Sequence, residues 1–324
     1  MKKRRLGATD LEVTPIGLGT WQFSNGTGLI GGFWRSLVEG ESEAVVKAAL
    51  ESGINWFDTA EIYGKGNSER ALAKALSAAG AKPGSFRIAT KWWPLLRRAS
   101  NIGKSIEERL SCLSPWPIDL YQIHQPFSLS SVPAQVDAMA DLVAAGKIRA
   151  VGVSNFSARS MEVAHSALAR RGIPLATNQV RISLVDRSVE RNGLLEASRR
   201  LGVTLIAYSP LAQGLLSGRF HEEPESVAAV STGRRVYGGI GDKTIRRTAA
   251  LVGELGRVAA AHGVSRSQVA LNWVINFWGE GVVAIPGASR PEQAKAAAGA
   301  MGFELESGEL ASLDRLSREA AASK

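Results

Sequence analysis

Eight short apolar runs rich in valine and isoleucine recur along this 324-residue chain, with helix-period segments between them. The runs fall at 16–19, 54–58, 87–90, 120–124, 150–154, 176–180, 204–208 and 282–286. Helical spacing is read at 41–52, 69–79, 102–114, 133–145, 158–170, 189–201 and 245–262. Strict alternation of this kind implies βα units around a parallel sheet. Gly53, Gly146, Gly172 and Gly202 each stand just past a helical segment, where a left-handed C-cap needs no Cβ. No Gly-x-Gly-x-x-Gly follows an early strand, so the doubly wound dinucleotide fold lacks its phosphate-binding fingerprint. The expectation is an α/β fold, a (β/α)8 TIM barrel, with residues 1–324 as a single domain. Residues 4–13 read as an N-terminal hairpin plugging the barrel floor, and 265–276 and 305–319 as two extra helices.

Three successive runs end in an ionisable side chain: Asp58, Lys91 and His124. Tyr63 follows the first of them in a loop. In a parallel barrel the carboxyl ends of the strands share one face, and that face carries the chemistry. Taken singly, each residue has a plain structural explanation as a cap, a solvated lysine or a loop histidine. Together, at corresponding positions of successive units, they point to a catalytic constellation.

These residues resemble the aldo-keto reductase family. The family's Asp-Thr-Ala-x-x-Tyr-Gly motif stands here as Asp58-Thr-Ala-Glu-Ile-Tyr63-Gly64, with Ser68-Glu69 opening the next helix. Lys91 in Ala-Thr-Lys and His124 in Asp119-Leu-Tyr-Gln-Ile-His match the family's lysine and histidine. Gly17-Leu-Gly-Thr-Trp21, Gly152-Val-Ser-Asn155, Tyr208-Ser-Pro-Leu211 and Ile285-Pro-Gly-Ala288 follow in the family's order. The resemblance runs from about Leu6 to Ala300.

What the resemblance implies is NADPH-dependent reduction of aldehydes or ketones to alcohols, or the reverse oxidation. Such a reduction needs a hydride donor and a proton donor at one developing alkoxide. Tyr63 is the expected proton donor, with Lys91 lowering its pKa from the ordinary phenol value of ~10. Asp58 is expected to hold Lys91 in place, and His124 to orient the substrate carbonyl. The alternative in another class is a cofactor-sensing regulatory subunit on the same barrel, with slow turnover. A Schiff-base barrel enzyme using Lys91 would leave Tyr63 and Asp58 idle.

By the same resemblance, Thr20, Trp21 and Asp58 border the cofactor. Ser154, Asn155 and Gln179 bind the nicotinamide carboxamide, and Tyr208 stacks on its ring. The glycine-bearing stretch Ser209-Pro-Leu211-Ala-Gln213-Gly214-Leu-Leu216-Ser-Gly-Arg219 suits a pyrophosphate, with Arg219 closing over it. Gly287, Ser289 and Gln293 match positions that hold the adenosine 2′-phosphate and adenine, at the start of a helix whose free N–H groups favour anions. Arg290 adds a cation nearby. Where the family often carries Glu-Asn, this chain has Ala296-Ala297, so a preference for NADPH over NADH is expected without exclusivity.

Phe23, Phe33, Trp34, Trp92, Trp93 and Phe127 are expected to form an aromatic mouth for the carbonyl substrate. The formal charge of +9 is scattered over pairs such as Arg97-Arg98 and Arg234-Arg235, with no nucleic-acid motif, so nucleic acid is not an expected partner. His124, His165, His221 and His262 show no ligand spacing with Cys112, so no metal is implied. A lone cysteine, Cys112, and the lack of a signal peptide or an apolar run approaching ~20 residues fit a cytoplasmic protein.

Overall fold

The computed structural model describes residues 2–26, 33 and 36–322. A two-stranded antiparallel hairpin, β1 (Arg4–Arg5) and β2 (Glu12–Val13), leads into eight parallel strands. These are β3 (Leu18–Gly19), β4 (Trp56–Asp58), β5 (Arg87–Trp92), β6 (Ile118–Ile123), β7 (Ile148–Ser154), β8 (Leu175–Arg181), β9 (Thr204–Tyr208) and β10 (Val282–Ala284). Each pairs with its neighbour in chain order. Parallel bridges Ile16↔Ala284 and Gly19↔Gly287 join the last strand to the first and close the barrel.

The hairpin is the floor plug that its sequence suggested. Leu6, Leu11 and Val13 are buried in one cluster with Trp56, Ala89, Leu120, Ala150, Ala176, Ile206 and Val283 from the barrel interior. Trp56 fills the space beside Gly17, where any Cβ would lie 2.3 Å from the indole, and it donates Nε1–H to Thr14 O. A larger apolar layer between sheet and helices makes up the rest of the core.

Helices α1 (Glu41–Glu51), α2 (Asn67–Ala78), α3 (Ile102–Leu113), α4 (Val132–Ala144) and α5 (Ala158–Ala169) follow the expected spans closely. The expected helix 189–201 is instead two, α6 (Ser188–Arg191) and α7 (Leu194–Leu201), because Gly193 between them adopts φ 75°. Short helices α8 (Arg219–Glu222) and α9 (Thr232–Gly238) lie in the long segment after β9, followed by α10 (Asp242–His262). The two extra helices are α11 (Arg266–Asn276), opened by a Ser265/Gln268 capping box, and α13 (Ser307–Ala322); α12 (Pro291–Gly299) follows the eighth strand. Among the described residues no helix is long and apolar enough to cross a membrane.

Candidate active site

Parallel pairing carries the three ionisable strand ends to one rim. Asp58 is the last residue of β4, and Lys91 lies in β5 directly beside Gln122 of β6. His124 follows β6, its backbone N–H bonded to Trp92 O. Side chains alternate along a strand, so Lys91 and Trp93 face inward while Trp92 faces the helices.

Lys91 Nζ lies 2.5 Å from Asp58 Oδ1 and donates to Thr59 O at 2.8 Å. The second Asp58 oxygen accepts Nε2–H groups from Gln179 at 2.9 Å and Gln122 at 3.2 Å. The ammonium is 5.1 Å from the centre of the Tyr63 ring. Tyr63 and His124 meet edge-on, with ring centres 5.8 Å apart. Gln122 has room because Gly152 opposite carries no side chain; a Cβ there would sit 2.9 Å from Gln122 Cγ.

Burial pulls the Lys91 ammonium below its usual range, and the adjoining Asp58 carboxylate opposes that pull. Burial also holds His124 well below 6.5, with the Lys91 charge acting in the same direction, so the imidazole is neutral. Tyr63 departs from the expectation of a lowered pKa. It keeps an open edge, yet protein crowds it, and burial with the Asp58 charge pushes its phenol well above 10. Burial is the larger cause, and the Asp58 charge, with the neighbouring Tyr237 and Tyr208, adds to it. Tyr63 is therefore a fully protonated phenol at neutral pH.

A cavity of about 1330 Å³ opens beside Asp58, Tyr63 and His124. Its walls include Thr20, Trp21, Ser154, Asn155, Gln179, Tyr208, Ser209, Leu211, Gln213, Gly214 and Arg219, and at the far end Gly287, Ser289, Arg290, Gln293, Ala296 and Ala297. The segments chosen as a cofactor groove thus line one continuous space. Leu216 is the exception: it is fully buried in the core and does not reach the cavity. Its neighbour Gly214 takes φ 96° and turns the chain, so Leu216 falls on the inner side.

Local bonds fix the groove. Tyr208 donates its hydroxyl to Asn155 Oδ1 at 3.0 Å, and Asn155 Nδ2 donates to His124 O at 3.3 Å. Ser209, Ala212 and Gln213 hold positive φ without being glycine, a strain that functional loops retain at roughly 1–3 kcal/mol each. Arg219 pairs only loosely with Glu223, whereas Arg234 donates to Gln213 O at 2.6 Å. Ser289 N–H donates to Gln293 Oε1 at 2.8 Å at the start of α12.

The aromatic mouth is only partly as expected. Trp93 and Phe33 line the cavity; Trp92 is fully buried, donating to Asn101 Oδ1, and Phe23 belongs to the core. Phe127 stands outside, packed on Trp93 with ring centres 5.8 Å apart. Trp34 lies outside the described residues. Tyr237, not assigned a role from sequence, completes the wall against Trp21 and Phe33.

Two glutamines also escaped the sequence reading. Gln122 stands two residues before His124, and period-two alternation was the signal that it shares the inward face. Gln22 lines the cavity beside Gly287, nine-tenths buried, and its Oε1 has no hydrogen-bond partner among the described residues.

The aldo/keto reductase family model matches residues 15–318. The chain belongs to that family. This aldo/keto reductase is therefore an oxidoreductase, and its relatives agree. It is 37% identical over 298 residues to an uncharacterised oxidoreductase of Mycobacterium bovis, covering 91% of this chain and 86% of the relative. It is 30% identical over 322 residues to the chloroplastic pyridoxal reductase of Arabidopsis thaliana, covering 95% and 84%. A solved aldo/keto reductase from Klebsiella pneumoniae, in complex with NADP and acetate, superposes with TM-score 0.74 at 28% identity, covering 98% and 95%.

Proposed function

We propose that this chain reduces aldehydes or ketones to alcohols with NADPH, using Tyr63 as proton donor. The observation that carries the proposal is the placement of a protonated Tyr63 and a neutral His124 together on the wall of one long cavity. The cavity fits a dinucleotide phosphate: it runs from the Asp58 rim to the N-terminus of α12, and Gln22 Oε1 is a buried acceptor in search of a donor. Ser154, Asn155 and Gln179 would hold the nicotinamide amide, Tyr208 the ring, Ser209 to Arg219 the pyrophosphate, and Ser289, Arg290 and Gln293 the 2′-phosphate. When bound, the reduced nicotinamide supplies the hydride.

The chain's own groups do the remaining work. Tyr63 releases its proton to the developing alkoxide, and the Lys91 ammonium steadies the phenolate left behind. Asp58, with Gln122 and Gln179, keeps Lys91 charged and immobile. His124, as a neutral donor, orients the carbonyl oxygen. Trp21, Phe33, Trp93 and Tyr237 exclude water and favour a planar aromatic substrate. The pyridoxal reductase named among the relatives acts, by its name, on an aromatic aldehyde.

The test is a panel of aryl and aliphatic aldehydes with NADPH and with NADH, following loss of reduced-cofactor absorbance. Turnover with aryl aldehydes, and tighter binding of NADPH than NADH that weakens with salt, is expected. Cofactor binding with negligible turnover would favour a sensing subunit instead. Equal affinities insensitive to salt would remove the 2′-phosphate assignment.

A further inference from the structure

Glu61 stands two residues before Tyr63, in the same turn, and is 7% exposed. One oxygen of its carboxylate accepts two short hydrogen bonds, from Trp93 N–H at 2.6 Å and from Arg97 Nη1 at 2.6 Å. Its own N–H donates to Lys91 O at 3.3 Å, continuing the β4–β5 ladder beyond the strands. The turn bearing Tyr63 is thereby tied to the segment bearing Trp93.

Arg97 extends the tie to a third loop. Its carbonyl accepts Leu129 N–H at 2.9 Å and the Ser128 hydroxyl at 2.8 Å. Phe127, beside them, packs edge-on against Trp93, and Trp93 packs edge-on against His124 at 5.2 Å. A single buried carboxylate therefore gathers the loops after β4, β5 and β6. Behind it, Arg109 stands 4.0 Å from the other oxygen and pairs with Glu69 at 2.9 Å. Charge-assisted bonds at such distances are the strong kind, and burial of the carboxylate end limits competition from water.

We infer that Glu61 is a positioning residue that sets the substrate wall: through Trp93 and Arg97 it fixes the separation between Trp93 and the Tyr63–His124 pair, and so determines selectivity for planar aryl carbonyls over small aliphatic ones. The inference rests on the carbonyl-reductase reading. A flat ring fills the slot beside Trp93 and depends on its width, whereas a three-carbon aldehyde touches that wall little. Loosening the tie costs aryl substrates their ground-state contacts without altering the proton donor.

The test compares wild type with Glu61→Gln, Arg97→Met and the double variant, using 4-nitrobenzaldehyde and propanal with NADPH. Glu61→Gln preserves shape and the acceptor for Trp93 N–H but removes the charge that holds Arg97. The aryl-to-aliphatic ratio of kcat/KM should fall about tenfold or more in each single variant, carried by KM for the aryl substrate. The double variant should be no worse than either single one, because one tie is broken once. Binding of 4-nitrobenzyl alcohol, read by quenching of tryptophan fluorescence, should weaken by a similar factor, while NADPH binds as in wild type.

An unchanged ratio, or kcat falling alike on both aldehydes, overturns the inference. If Glu61→Gln does not fold, Arg97→Met decides, since Arg97 is 39% exposed and substitutions at partly exposed positions cost little stability as a rule. If wild type oxidises no NADPH with any aldehyde, the carbonyl-reductase reading fails; alcohol binding to the variants still decides whether Glu61 shapes the wall.

Discussion

Asp58 and Lys91 face each other at 2.5 Å with their side chains sealed from solvent, and every bond either of them makes leads to another buried group. An ion pair in such a place is held by completeness. Its desolvation penalty is offset only while both charges and their hydrogen bonds are present.

Lys91→Met should therefore destabilise the fold by about 3–5 kcal/mol, since it strands the Asp58 charge. Asp58→Asn combined with Lys91→Met should recover part of that loss. Urea unfolding of the three proteins measures both effects. A single variant as stable as wild type would contradict the pairing.

Tyr63→Phe should lower kcat for aldehyde reduction about 10²–10⁴-fold, the usual worth of general acid catalysis. Cofactor affinity should stay within about twofold, because the ring stacked on Trp21 at 5.8 Å is retained. Steady-state rates with fluorescence titration of NADPH provide both numbers. A kcat within a fewfold of wild type would assign the acid elsewhere.

Neither Tyr63 nor His124 should put an inflection into the pH profile of kcat through neutrality. Tyr63 titrates upward of its usual value, so it still carries its proton at pH 9; His124 titrates downward, so it has already lost its proton at pH 6. Neither group changes state between these limits. An inflection in kcat near pH 6.5 would show a titrating imidazole and refute this assignment.

Glu69 titrates near neutrality because it is buried: its carboxyl is pushed up to about 7, despite Arg109 at 2.9 Å and the Thr90 hydroxyl at 2.6 Å. A raised carboxyl pKa stabilises the fold most below the unfolded value of 4.5, and that contribution is lost as pH rises to about 7. Relative to Glu69→Gln, the wild type should lose about 3 kcal/mol of stability between pH 4 and pH 8. Parallel stability curves for the two proteins would disprove it.

The barrel was legible because valine and isoleucine runs mark strands buried on both faces, and glycines mark the helix ends. The strand ends carried Asp58, Lys91 and His124 to one rim, so the constellation was legible as well. Side-chain direction was harder. Trp92 and Trp93 look alike in the sequence, but Lys91 faces inward, so alternation sends Trp92 to the core and Trp93 to the cavity. The burial of Leu216 was not legible, because the turn at Gln213 and Gly214 has no apolar periodicity to read. Gln179, expected to await the cofactor, already donates to Asp58. The raised Tyr63 pKa and the Glu61 tie arise from groups distant in sequence or from burial itself, neither of which a local pattern records.

Barrel closure through Ile16↔Ala284 and Gly19↔Gly287 has a bearing on how the molecule is made. One bank of the groove, at Thr20 and Trp21, leaves the ribosome first; the opposite bank, at Gly287 to Gln293, emerges near the end. Until the eighth strand is synthesised and docks beside the first, the long cavity has no second side. A chain halted before β10 would carry Asp58, Tyr63, Lys91 and His124 and still have nowhere to seat a dinucleotide.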